Sequence, residues 1–278
     1  VAWISGDRFL AVHDAKNPEE NARPRVSLVS VPSSPAGPIW ESLHVDWPTP
    51  LGMSSDLESI ARIPGTYSFL LVESGEGMAV GHQFRRIFHV RLEGSRLSVV
   101  SFTDLPRTVQ NIEGAAVAQV GDQLVFVFSE RAEGMAATDL AWAPLRLEPL
   151  ELGAVQQVRF APNGVGQPGW RPVSAIEIDN AGRILIASAF DPGDDNGPFQ
   201  SAIWLAGRVA AGSSGSVVVV NESPVLISRL DGFKVEALAL RPAADGEHFF
   251  AGTDDENHGG NLRQIPLARP LTALSAIR

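Results

Sequence analysis

Three glutamates and a serine mark the points of this chain where chemistry could gather. Each opens a run of small and apolar residues: Glu58 before Ser59-Ile60-Ala61, Glu113 before Gly114-Ala115-Ala116, Ser174 before Ala175-Ile176, and Glu236 before Ala237-Leu238-Ala239. Each run leads through a turn into a second apolar run that ends in acid: at Glu73, Glu130, Asp191, and Asp254 with Asp255. A shortened copy runs from Val1-Ala2-Trp3-Ile4 to Val12-His13-Asp14, so its equivalent of the glutamate would fall just before Val1. One carboxylate at the start of a strand says little. The same carboxylate in three registers of one repeat puts three like charges at equivalent points. If those points converge, the carboxylates either keep protons at raised pKa values or share a cation. With oxygen donors only, no cysteine and no histidine in register, calcium, or magnesium in its place, suits them better than zinc. The expected metal ring is Glu58, Glu113, Ser174 and Glu236. The alternative is that these side chains only accept backbone N–H bonds where strands begin. Glu177 lies three residues out of register and is left out of the ring.

The acids that close the second runs are Asp14, Glu73, Glu130, Asp191, Asp254 and Asp255, and the loops after them add Glu76, Asp194, Asp195 and Glu256. If the repeats stack in parallel, these loops share one end of the molecule with the ring and make that end negative. Loops on a rigid scaffold are a usual place for function, although acids and glycines are also good turn formers. Asp14, Asp254 and Asp255 are the candidate catalytic residues, as bases that would draw a proton from water, and His13 and His258 lie in the same loops. Arg85, Arg86, Arg131 and Arg263 flank them and could receive a phosphate or carboxylate, or balance neighbouring acids as rim salt bridges. The stretch Asp254 to Gly260 lacks the alternating acids and closing glutamate of an EF-hand loop. No Ser-His-Asp order, P-loop, dinucleotide-binding turn or zinc helix motif is present.

The elements that must position these residues are strands. A strand-rich unit that recurs at roughly fifty to sixty residues is the mark of a radial repeat. Unit two is the clearest: Ile60 to Ile63 and Tyr67 to Val72 flank the turn Pro64-Gly65-Thr66, and Arg86 to Leu92 and Leu97 to Phe102 flank Glu93-Gly94. The expected fold is therefore all-β, a five-bladed β-propeller of four-stranded antiparallel blades. It forms a single domain with blades at about 1–50, 51–102, 104–155, 171–229 and 233–278. A pair of β-sandwiches is the alternative; a six-bladed ring lacks a sixth copy. Gln156 to Trp170 and Gly207 to Val217 read as glycine-rich connectors. Trp40, Trp47, Trp142, Trp170 and Trp204 are spaced like packing residues between blades. No capping signal precedes a helix-periodic run of useful length.

Composition narrows the function classes. The 278 residues carry 22 lysines and arginines against 32 aspartates and glutamates, for a net charge of −10. That balance argues against nucleic acid, whose phosphates need a basic surface, and fits a protein that collects cations. No apolar run approaches the roughly 18 residues of a membrane span. The absence of cysteine removes disulfides and thiolate metal sites from consideration. No signal peptide is visible, but Val1 falls inside a repeat, so the natural start is expected upstream and the compartment is left open. The expected partner is a small-molecule ligand or a protein on the acidic loop face, and the expected state is a monomer.

The units resemble those of calcium-centred five-bladed propellers, the soluble calcium-activated (apyrase-like) nucleotidases and the bacterial phytase-like or SdiA-regulated propellers. In the nucleotidases a central calcium is held by blade-entry residues in the order Ser, Glu, Glu, Ser, Glu. The resemblance implies Glu58, Glu113, Ser174 and Glu236 for the last four of these. The nucleotide-handling segments of that family have no counterpart here, so its catalytic residues are not carried over. Two functions compete: a metal-dependent hydrolase of phosphate or related esters, and a non-catalytic ligand- or protein-binding propeller with a structural calcium.

Overall fold

The computed structural model describes residues 1–16, 23–32, 37–48, 52–75, 78–79, 82–106, 108–212, 215–244 and 246–266. Blade one comprises β1 (Ala2–Ser5), β2 (Arg8–Val12), β3 (Val26–Ser30) and β4 (Ile39–Ser42), paired in that order. A short strand, β5 (His44–Asp46), then crosses to the next sheet. Blade two has the order β5-β11-β10-β7-β6, where β6 is Leu57–Arg62, β7 Ser68–Glu73, β10 Arg86–Glu93 and β11 Arg96–Asp104. A separate two-stranded sheet pairs β8 (Met78–Ala79) with β9 (His82–Gln83). Blade three runs β12 (Ile112–Val120), β13 (Gln123–Glu130) and β14 (Thr138–Leu147), with β15 (Leu150–Leu152) and β16 (Gln156–Phe160) both paired to β14. Blade four is β17 (Trp170–Ile178), β18 (Arg183–Phe190), β19 (Gln200–Gly212) and β20 (Gly215–Asp231). Blade five has β21 (Val235–Ala243), β22 (Gly246–Asp254) and β23 (Gly260–Ile265). Among the described residues the only helical element is the 3-10 turn Glu256–His258.

Five inner strands make the ring. β1 packs on β6, β6 on β12, β12 on β17, β17 on β21, and β21 returns to β1. The apolar residues fall into five clusters, one for each gap between blades. The gap between blades three and four is filled by Trp142, Trp170 and Trp204 with Phe160 and Ile186. The gap between blades five and one holds Phe9, Ala11, Val29, Ala239, Phe250 and Leu262. A blade in such a stack buries both faces, which is why β7 is buried at all of its six positions instead of alternating. Each fully buried Phe or Leu contributes about 1.5–3 kcal/mol, and every gap has several.

The all-β, five-bladed expectation holds. Several boundaries differ from the sequence reading. Val45 is part of β5, which pairs in parallel with β11 and so belongs to blade two rather than blade one. The supposed connectors are partly strand: residues 156–160 form β16 while 161–169 carry no strand, and residues 207–212 and 215–217 belong to the long hairpin of β19 and β20. Glycine content misled there, because Gly207 is needed for close packing. A Cβ at Gly207 would stand 2.0 Å from the Val219 carbonyl oxygen. The turn at Asp245, the loop residue Glu76 and the end of the fifth unit, residues 267–278, lie outside the described residues.

Candidate functional site

The four ring residues reach the axis by one local device. The register between the first and second strands slips between Leu57 and Ser59, between Ile112 and Gly114, between Arg171 and Ala175, and between Val235 and Ala237. Glu58, Glu113, Ser174 and Glu236 sit inside those four slips. A bulge breaks the strict alternation of a strand and re-aims a side chain, and here it turns each one towards the channel. Two residues before Glu58 and Glu113, Asp56 (φ 58°) and Asn111 (φ 49°) adopt the left-handed conformation that Asp and Asn tolerate best. Blades three and four also approach closely at this level. A Cβ at Gly114 would lie 3.0 Å from the Ile176 nitrogen.

Glu58, Glu113, Ser174 and Glu236 line one cavity of about 450 Å³ together with Asp14, Asp254, His13, Trp40, Thr253 and Asn261. Asp255, the third candidate base, is elsewhere. It is buried, accepting the Lys234 backbone N–H at 2.7 Å and the Thr253 hydroxyl at 2.7 Å, and so fastens the entry to blade five. His13 shares a hydrogen bond with the Ser27 hydroxyl at 2.8 Å, and burial lowers its pKa. His258 stands exposed on the 3-10 turn. Trp40 lies in the cavity wall, 40% exposed, instead of packing between blades.

The carboxylates meet cations of the protein's own. Arg171, buried at the start of β17, donates from Nη1 to Glu113 Oε2 at 2.8 Å and from Nη2 to Glu236 Oε1 at 3.0 Å. Its Nη2 also faces Asp191 at 3.8 Å. Lys234 contacts Asp191 at 3.4 Å, Glu236 at 3.5 Å, and Glu256. Arg131 adds a contact to Glu113 Oε1 at 3.5 Å. Glu58 differs. Among the described residues it has no ion pair and accepts no hydrogen bond. Burial pushes its pKa well above the ordinary glutamate value, and the negative charge of Glu113, Asp56 and Glu236 pushes it further. Burial also raises Glu236, to about 7, despite Arg171 and Lys234 pulling the other way. Asp254 is raised for the same first reason, burial.

These donors do not suit a central calcium. Glu113 Oε2 and Glu236 Oε1 accept from a guanidinium, and the Ser174 hydroxyl donates to the Val235 carbonyl at 2.7 Å. An ion at the axis would lie against the fixed positive charge of Arg171. No group of three acidic or histidine side chains among the described residues is disposed to hold a metal.

The expected acidic face is smaller than the sequence suggested. Glu73 is fully buried and forms a two-pronged pair with Arg86, at 2.6 Å from Nη2 to Oε1 and 2.9 Å from Nε to Oε2. Glu130 accepts the Gln110 backbone N–H. The flanking arginines are likewise engaged. Arg85 donates to the Val109 and Pro106 carbonyls, Arg131 pairs with Glu133 at 2.8 Å, and Arg263 stacks on Phe233 at 3.6 Å. Sequence reasoning missed Arg171 and Lys234 as partners of the ring. The available signal was local: the one repeat with Ser in place of Glu carries Arg171 three residues earlier, and Lys234 stands two before Glu236. Glu177 lies in a second cavity of about 280 Å³, lined also by Trp3, Arg62 and Leu240.

No family model matches the chain, and no curated protein matches it. Among solved structures it is similar to a periplasmic gluconolactonase of Pseudomonas aeruginosa, with 13% identity over 94% of this chain and 82% of that one, at a TM-score of 0.41. It is also similar to a GH43 endo-arabinanase from Bacillus licheniformis, with 10% identity over 74% of this chain and 91% of that one, at a TM-score of 0.31.

Proposed function

We propose that this protein is a hydrolase that cleaves a small uncharged or amine-bearing ester or lactone by carboxyl acid–base chemistry in the axial cavity. The observation that carries the reading is Glu58. Its side chain lines the cavity and makes no hydrogen bond or close ion pair among the described residues, with Lys16 acting on it only at longer range, while Glu113 and Glu236 both hold Arg171. A carboxyl whose proton affinity is raised, with further carboxyl groups on the same cavity wall, gives one site the means for both an acid and a base. Glu58, half-buried and with its proton affinity raised, donates its proton to the leaving oxygen as that oxygen's bond to the carbonyl carbon breaks. Asp254 or Asp14 accepts a proton from the water whose oxygen bonds to that carbon. The products are an acid and an alcohol, and proton exchange with solvent resets both groups. Such transfer is worth about 10²–10⁴ in rate.

The electrostatics turn the substrate class away from phosphate esters. A phosphate entering this cavity would meet Asp14 and Asp254, and Arg171 and Lys234 are already engaged by carboxylates. A second reading, a non-catalytic binding module for an organic cation, is favoured by Trp40, whose exposed ring shares the wall with Asp14.

The test is a turnover screen with p-nitrophenyl esters, lactones, nucleoside diphosphates and phytate, each with calcium and with EDTA. The hydrolase reading expects turnover of an uncharged ester or lactone that survives EDTA and is lost in Glu58→Gln without loss of melting temperature. Calcium-dependent turnover confined to the phosphate compounds would overturn it. A well-folded sample that turns nothing over, but is stabilised by tetramethylammonium, would establish the binding module instead.

A further inference from the structure

We propose that Arg171 is a built-in counter-ion occupying the place where the ring of carboxylates calls for a metal. The axis of this propeller then closes without a divalent cation, and removal of the guanidinium creates a divalent-cation site. Inner strands β6, β12 and β21 each bring a glutamate to the cavity, and β17 brings Ser174. Blade four, which has Ser174 at this position, supplies the positive charge. Arg171 belongs to the same strand as Ser174, and its two Nη atoms reach one blade to either side, to Glu113 on β12 and to Glu236 on β21. The guanidinium side chain is only 6% exposed, as little as Glu113 at 5%, so solvent screens this pair weakly.

Three properties make the arrangement self-sufficient. A guanidinium cannot be deprotonated in a protein, and its planar fork gives each carboxylate a directed N–H bond, which no monatomic ion supplies. The carboxylates of Glu113 and Glu236 raise its proton affinity above the ordinary arginine value although burial works against this. Being part of the chain, it stands at an effective concentration that a dissolved ion at physiological level does not match. Lys234 and Arg131 add charge at the edges, at 3.5 Å from Glu236 and 3.5 Å from Glu113. An arriving divalent ion would have to displace these bonds and would face three cations at short range.

The opposite holds once the fork is gone. In Arg171→Met the oxygens of Glu113 and Glu236 lose their N–H donors and face Glu58 across the same cavity, an oxygen-only set of the kind calcium prefers.

The experiment is a set of melting curves for the whole chain in EDTA, in millimolar calcium chloride, and in potassium chloride of equal ionic strength. The wild type is expected to melt within about 1 °C in all three, because a ligand that binds neither state shifts nothing. Arg171→Met is expected to melt lower in EDTA and to recover saturably with calcium, and Arg171→Met with Glu113→Gln is expected to lose that recovery. Arg171→Lys, which keeps the charge but not the fork, is expected to melt lower with no response to calcium. It carries the comparison if the methionine variant does not fold. A wild type that loses stability in EDTA, or that retains stoichiometric calcium by elemental analysis after purification, would overturn the proposal. So would a folded Arg171→Met no more responsive to calcium than the wild type.

Discussion

Glu58→Gln separates the chemistry of the cavity from its stability, because one carboxyl governs both with opposite signs. The folded-state pKa of Glu58 is raised from 4.5, first by burial and then by Glu113, Asp56 and Glu236. A group raised on folding contributes stability that is complete below the unfolded value and is lost as pH climbs through the folded value. Glutamine cannot ionise and keeps the shape. The variant should therefore match the wild type below about pH 4.5 and gain on it above, by about 1.4 kcal/mol per pH unit until the folded pKa is reached. For a chain of this size that is about 2 °C in melting temperature per pH unit. The assay is thermal unfolding of both proteins between pH 4 and 9, followed by kcat on whichever ester or lactone the screen finds. As proton donor, Glu58 should take about 10²–10⁴ of kcat with it. A variant that melts lower than the wild type at pH 8 would refute a half-buried carboxyl without a close cation. A variant that melts higher but loses no rate would refute the catalytic assignment alone.

Arg86→Met should destabilise the protein by about 3–5 kcal/mol in urea unfolding, since it strands the buried Glu73 carboxylate, and the added change Glu73→Gln should recover part of the loss. Gly114→Ala should cost about 1–3 kcal/mol by the same measurement and lower the rate, as its Cβ would press on the β17 backbone beside the Glu113–Arg171 contact. Asp255→Ala should lower the melting temperature, by about 1–3 kcal/mol for two buried donors left without their acceptor, with its effect on rate no larger than the stability loss explains. Asp254→Asn should do the reverse, leaving melting near the wild type while the pH–rate profile loses its acidic limb.

The fold was legible because its grammar repeats. Small residues after Glu58, Glu113, Ser174 and Glu236, and an apolar run after each turn, are local facts that recur at one period, and stacked blades follow from them. What was not legible depended on partners far along the chain. Arg171 lies 58 positions from Glu113 and 65 from Glu236, and its place three residues before Ser174 is the one local sign of either contact. Glu73 looked like the other strand-ending acids, yet Arg86 draws it inward, and only the packing of blade two distinguishes it from Asp14. β5 and β16 are edge strands whose pairing depends on what lies beside them, and neither has a pattern of its own. The convergence of six candidate residues on one cavity was inferable from the repeat; which of them would lack a partner was not.

The gap between blades five and one has a kinetic meaning. Its cluster of six buried residues joins Phe9 and Val29 to Phe250 and Leu262, and among the described residues no hydrogen-bonded strand pair spans it. Every other gap joins blades that follow one another along the chain, so their contacts form between near neighbours. This last one joins the two ends of the fold, and such contacts carry the largest loop-closure entropy and the smallest local reward. On contact-order grounds this gap is expected to close after the four between consecutive blades. Glu236 reaches Arg171 from one side of that closing seam while Asp14 stands on the other, so the cavity acquires its full wall in the same event that completes the circle.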